Sequence, residues 1–209
     1  MPKRIASNLL KKNFHSTFLV CQKDQEKIWR KLFVESRPYS DKLKRLLVIN
    51  TPDCLDPDQV QYQNVIDGYS VKRLKEEQYI KSVPKIEFGE HENVKAYIIM
   101  EFDDFTPSEN SEYRNCVISF SIICQLDYWE MNDYNLRPWM IAGYIDGILD
   151  NSELTGIGKL QFMGASQLVL SEYLGGVLLR YIAVNSDNSD TEKAFEELPI
   201  PRQLGHLNT

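Results

Sequence analysis

The run CVISFSIICQL, residues 116–126, limits the fold more than any other part of the chain. Its side chains alternate: Ile118, Phe120, Ile122, Cys124 and Leu126 point one way, and Val117, Ser119, Ser121, Ile123 and Gln125 the other. A repeat of two marks a β-strand, because successive Cβ atoms leave opposite faces of the pleat. The first set is a core face, and the second is mild enough to pack against a partner. The run then enters an acidic, aromatic corner, DYWEMNDYNLRPW, without passing a recognisable catalytic group. Pro138 suits the first position of the helix that follows, where its missing N–H would be unpaired in any case. Ile141, Ile145, Ile148 and Leu149 share the inward side of that helix. Gly143 and Gly147 cost it about 1 kcal/mol each relative to alanine, so close approach of another backbone is expected to offset them.

Upstream, the pattern is helical. QKDQEKIWRKLFVES sets Ile28, Trp29, Leu32 and Phe33 in one apolar stripe that ends at Pro38. SDKLKRLLVIN follows, with Ser40 or Asp41 as its expected N-cap, and NTPDCLDPDQ breaks it. A short helix is expected over residues 71–80. After Pro84 the period changes to two: KIEFGE is a short strand, and Val94, Ala96, Ile98, Met100 and Phe102 form one face of the next. DDFTPSENSEY is expected to interrupt as a loop. Beyond the central helix, DNSELTGIG is the stop, and KLQFMGASQLVL and GGVLLRYIAVN are strands joined as a hairpin through SEYLG. The last stretch, residues 186–209, is polar and proline-punctuated, with Phe195, Leu198, Ile200 and Leu204 as anchors for lying on a neighbouring surface.

This order predicts an α+β fold, an antiparallel or mixed sheet with helices packed on one face. It divides into a helical N-terminal region, 1–83, a sheet–helix–hairpin core, 84–185, and an extended polar tail, 186–209. The chain is long enough for one core with appendages, and 43% apolar residues suffice to fill it. An open sheet of this kind leaves two edges, and an edge that needs covering favours association.

A formal charge of −6 opposes binding to a phosphate backbone unless a local basic patch intervenes. MPKR, LLKK and KLKR, the last at residues 42–45, are the patches available, and solvated helix faces are their plain reading. Cys21, Cys54, Cys116 and Cys124 have no CxxC spacing and are expected to be reduced and buried. Neither a membrane span nor secretion is expected, since no long apolar run and no cleavage-type start occur.

Catalysis is not expected either. His15, His91 and His206 have no partners at metal-ligand spacing, and no GxGxxG, Walker A or GxSxG motif occurs. No metal or other cofactor is therefore anticipated. The enzymatic alternative is a metal-dependent nuclease in which Asp103, Asp127 and Asp133, at strand ends, converge on a divalent cation. DDF and LDYWEMND, however, lack the nearby lysine or histidine that would complete such a site. Asp146 and Asp150, one turn apart late in a helix, oppose its dipole and repel each other. Surface drift accounts for them, or an arginine on another subunit. Tyr128, Trp129, Tyr134 and Trp139 crowd one corner, where core packing explains one or two and a subunit contact the rest. The candidate interface is therefore Tyr128, Trp129, Tyr134, Arg137, Trp139, Asp146 and Asp150.

The stretch VISFSIICQLDYWEMNDYNLRPWMIAGYIDGILD, followed by GKLQFMGASQLVLSEYLGGVLLRYIAV, resembles the core of tailed-bacteriophage tail terminator proteins, also called tail completion or head-tail joining proteins. The likeness is one of element order over residues 94–184: a strand feeds a helix with an RP entry, and an antiparallel hairpin returns. It implies a structural virion protein at the tail–neck junction, assembled in the host cytoplasm and closed into a hexameric ring. Its partners would be its own copies, the tail tube and the neck or connector proteins. DNA would pass through the ring without specific binding, which an acidic wall suits. Adaptor, stopper and collar are alternative roles at the same neck.

Overall fold

A computed structural model describes residues 17–82, 95–107, 113–154 and 157–186. Helix α1, Thr17–Arg30, runs on as one wide turn, Lys31–Glu35, and together they bury Ile28, Trp29, Leu32 and Phe33 as the apolar stripe requires. Trp29 lies against Phe33 at 5.9 Å between ring centroids and meets Phe120 of the sheet edge-on at 6.3 Å. Helix α2, Tyr39–Val48, begins one residue before the expected cap. Pro38 stands at its N-cap position, and Ser40 is enclosed in the first turn with no hydrogen-bond partner for its hydroxyl among the described residues. A proline with fixed φ starts the helix without a side-chain acceptor, and Asp41 is drawn to Arg37 at 3.7 Å instead.

Two short helices follow where one was expected. α3, Val60–Asp67, is polar and buries Ile66 alone, so its periodicity is faint in the sequence. α4, Val71–Glu76, is capped by Ser70, whose Oγ accepts from the Arg73 amide at 3.2 Å. It stops short of Ile80 because Gln78 takes a positive φ of 66°. The chain then extends, and Ile80–Lys81 becomes strand β1.

Strands β2, Ala96–Pro107, β3, Tyr113–Gln125, β6, Gln161–Val169, and β7, Leu174–Ser186, form a sheet with β1 in the order β1-β2-β3-β7-β6. β1 runs parallel to β2 and all other neighbours are antiparallel, so the sheet is mixed and the fold is α+β. A minor hairpin, β4 at Glu153–Leu154 and β5 at Gly158–Lys159, stands apart. The loop expected at DDFTPSENSEY is corrected at its two ends, where β2 runs through Pro107 and β3 begins at Tyr113; residues 108–112 lie outside the described residues. Asp104, at φ 44°, sits where the register slips between Asp103 and Thr106, and such a bulge absorbs a residue without ending the strand. The strand expected at KIEFGE and the tail beyond Ser186 lie outside the described residues.

Register explains the alternation. Met100, Phe120 and Leu179 fall in one row, Ile98, Ile122 and Val177 in the next, and all six are buried. Helix α5, Arg137–Leu149, packs against β3 and β7 with Ile141, Ile145, Ile148 and Leu149 inward, as expected. Leu126 departs from expectation: it is 40% exposed, because the chain leaves the sheet there in a tight 3-10 turn, Leu126–Tyr128. One apolar cluster runs unbroken from Ile28 to Ala183, so the N-terminal helices and the sheet share a core. Each large side chain in it contributes about 1.5–3 kcal/mol.

Candidate functional site

The corner after β3 is built around a buried cation. Arg137 opens α5, yet it is only 1% exposed. Its Nε donates to the carbonyl of Tyr128 at 2.9 Å, and its Nη1 to those of Leu46 and Ile49 at 2.7 and 2.8 Å. Nη2 donates to the Thr51 carbonyl at 2.8 Å, and the Cys54 sulfur lies 3.7 Å from Nη1. The carbonyls of Leu46, Ile49 and Thr51 stand at and just beyond the C-terminus of α2, where orphan acceptors and the negative end of the helix dipole favour a cation. Arg137 therefore caps one helix from the start of another. Its place among the interface candidates is corrected, since its guanidinium is spent inside the chain.

Burial pushes the Cys54 thiol above its ordinary range, against the pull of the Arg137 charge. It pushes the fully buried Cys124 thiol to about 12, again opposed by Arg137. Cys54, Cys116 and Cys124 are buried, as expected.

The four aromatics divide. Trp129 is half-buried beneath the hairpin; its Nε1 donates to the Cys124 carbonyl at 3.3 Å. A Cβ on Gly175 would come within 3.0 Å of the Trp129 ring, so that glycine makes room for the indole. Tyr128 is half-buried beneath the Lys95 ammonium, 5.5 Å from its ring centroid. Tyr134, by contrast, is fully exposed at 103%. It sits with Asp133 in two successive left-handed conformations, φ 61° and 60°, a costly arrangement for residues with side chains. Trp139 is 42% exposed on the outer face of α5, beside Gly143 and Gly147.

A Cβ at either glycine would meet nothing within 4 Å. The backbone expected to approach them is thus not supplied by this chain's described residues. With Tyr39, Met140 and Tyr144 these positions line an open hollow of about 420 Å³.

Asp146 and Asp150 have partners inside the fold, so an arginine from another subunit is not needed to explain them. Asp146 accepts from the Tyr181 hydroxyl at 2.8 Å, and Asp150 accepts from the Phe162 amide at 3.0 Å. The two carboxylates tie α5 to β7 and to the edge strand β6. Burial first, then the Asp146 bond, drives the Tyr181 hydroxyl well above the usual tyrosine range.

Register keeps the carboxylates of the nuclease alternative apart. Asp103 pairs with Val117 near the start of β3, whereas Asp127 follows its end. At about 3.3 Å per residue the strand separates them by roughly 25 Å. Asp103 instead accepts from Ser119 Oγ at 2.5 Å. No group of three or more metal-ligating side chains converges among the described residues. Of the basic runs, KLKR is no surface patch: Lys44 is buried, and Arg45 donates to the Asp56 carbonyl and to Gln63. MPKR and LLKK lie outside the described residues.

Sequence reasoning passed over one further surface. β6 ends the sheet with no described strand beyond it, and Phe162, Met163 and Val169 on it are exposed. The signal was present in two adjoining apolar residues, Phe162 and Met163, that cannot both follow a simple alternation.

Among the described residues, no helix is long and apolar enough to cross a membrane. A family model described as YomW matches residues 40–182, which include α2 to α5 and most of the sheet. No curated protein matches the chain.

Proposed function

The chain belongs to the YomW family, and we propose that it is a structural assembly protein that closes into a ring with its own copies. The observation that carries this reading is the outer face of α5, which no described residue covers and where Trp139 stands exposed beside Gly143 and Gly147. Two glycines that meet nothing cost a lone helix about 1 kcal/mol each, and a neighbouring backbone seated in their groove offsets that cost. Tyr134, held out on a strained turn, and the open edge of β6 lie on the same reading, as contacts between one copy and the next. The resemblance in element order, β3 into α5 and back through the β6–β7 hairpin, supports a position at the tail–neck junction of a tailed bacteriophage. There the ring ends the tail tube and joins it to the head, and DNA passes through a channel that an acidic chain does not grip.

Negative-stain imaging of the purified chain tests this. The expected result is closed rings with a central opening, and labelled antibody then finds them where tail meets head in assembled particles. Open filaments, or label on the capsid or the distal tail, would end the proposal.

A further inference from the structure

A second concave surface lies away from the corner, between α1 with its wide turn, the start of α2 and the start of α4. It is an open cleft of about 920 Å³, within the roughly 300–1,000 Å³ of small-molecule sites. Its lining is cationic although the chain as a whole is acidic: Arg30, Arg37, Lys44, Lys72 and Lys75 border it. The acids facing it are Glu26 and Asp67.

Three of those cations already have an acid. Arg30 pairs with Glu35, Arg37 with Asp41 and Lys72 with Glu76, each at 3.7 Å. Lys44 and Lys75 are left. Lys44 is 6% exposed and reaches the cleft from the inner side of α2, and no hydrogen bond or ion pair among the described residues holds its ammonium. Burial pulls that ammonium below the ordinary lysine range, with Asp41 and Asp67 drawing it back from a distance and Arg37 opposing them. A charge at the end of a mostly buried side chain, with no acid beside it, is costly to hold, and an anion entering the cleft would relieve it.

We propose that this cleft binds a small phosphate-bearing molecule, with Lys44 as the buried anchor and Lys75 as the second charge. Arg30 and Arg37 at the rim favour phosphate, because guanidinium forks match its oxygens in pairs. The inference goes beyond the ring reading and does not depend on it.

Thermal unfolding of the full chain with added inorganic pyrophosphate tests it, in parallel with citrate as a polycarboxylate of similar charge. The melting temperature is expected to rise with pyrophosphate concentration and much less with citrate. Lys44→Met and Lys75→Gln should each weaken the apparent affinity by about tenfold, the loss of one charge-assisted bond. Lys159→Gln, exposed on β5, should leave it unchanged. Lys75 is only partly buried, so its variant keeps the test open if Lys44→Met does not fold. No rise up to about 10 mM pyrophosphate, a rise that survives in both cleft variants, or an equal rise with citrate overturns the proposal.

Discussion

Replacing Arg137 with methionine keeps the volume of the stem and removes every bond of the guanidinium. Four carbonyls then lose their donor, those of Tyr128, Leu46, Ile49 and Thr51. Those of Leu46 and Ile49 are enclosed, whereas the Tyr128 and Thr51 bonds lie in part-buried surroundings that water can reach. An enclosed acceptor left unsatisfied costs about 1–3 kcal/mol, so the two enclosed ones set the loss at about 4 kcal/mol. Freedom from burying a cation offsets part of that, which makes about 3–4 kcal/mol the expected change. Set against a typical total of about 5–15 kcal/mol, it is a large fraction. Urea unfolding followed by tryptophan fluorescence measures it as a lower midpoint at unchanged slope. Arg137→Lys restores a charge at the end of α2 but not the fork, so its loss should fall between wild type and Arg137→Met. A methionine variant within about 1 kcal/mol of wild type would refute the view that this side chain caps α2 across the fold.

Other outcomes follow from single positions. A Cβ on Gly176 would lie 1.7 Å from the Ile122 carbonyl oxygen, so Gly176→Ala should cost more than about 3 kcal/mol by forcing β3 and β7 apart, seen as insoluble or unfolded protein by circular dichroism. Gly143→Ala and Gly147→Ala point into open space and should each stabilise the isolated chain by up to about 1 kcal/mol in the same urea assay while weakening self-association in sedimentation. The Cys124 thiol, raised to about 12 in the fold against about 8.5 when unfolded, favours folding fully below about pH 8.5. That contribution is lost as pH climbs towards 12, by at most about 1.4 kcal/mol per pH unit, and a Cys124→Ala variant should show a shallower decline in alkaline urea melts.

Much of the framework was legible because local period and burial agree. The stripe from Ile28 to Phe33, the alternation through Cys116 to Cys124, the β6–β7 hairpin and the inward side of α5 all needed no long-range information. α3 escaped notice because it buries a single residue, Ile66, and so carries no stripe. DDFTP looked like a loop because a bulge at Asp104 borrows the residue types of a turn while the ladder continues on either side. Arg137 was misread for a deeper reason: its acceptors sit 86 to 91 residues back in the chain, apart from Tyr128 and Cys54, and backbone carbonyls leave no trace in sequence. One clue existed. A cation in the first turn of a helix opposes its dipole, so Arg137 required an explanation that α5 itself could not provide. Asp146 and Asp150 mislead in the same way, since their partners, a tyrosine hydroxyl and a backbone amide, come from strands that return to α5 only in the folded chain.

Sedimentation equilibrium of the full chain over a wide concentration range, repeated with Trp139→Ser, tests the central claim most directly. The ring account predicts a closed particle of about six times the 24.3 kDa subunit mass, and its dissociation in the variant without loss of helix or sheet signal. A subunit-mass species at every concentration would contradict it.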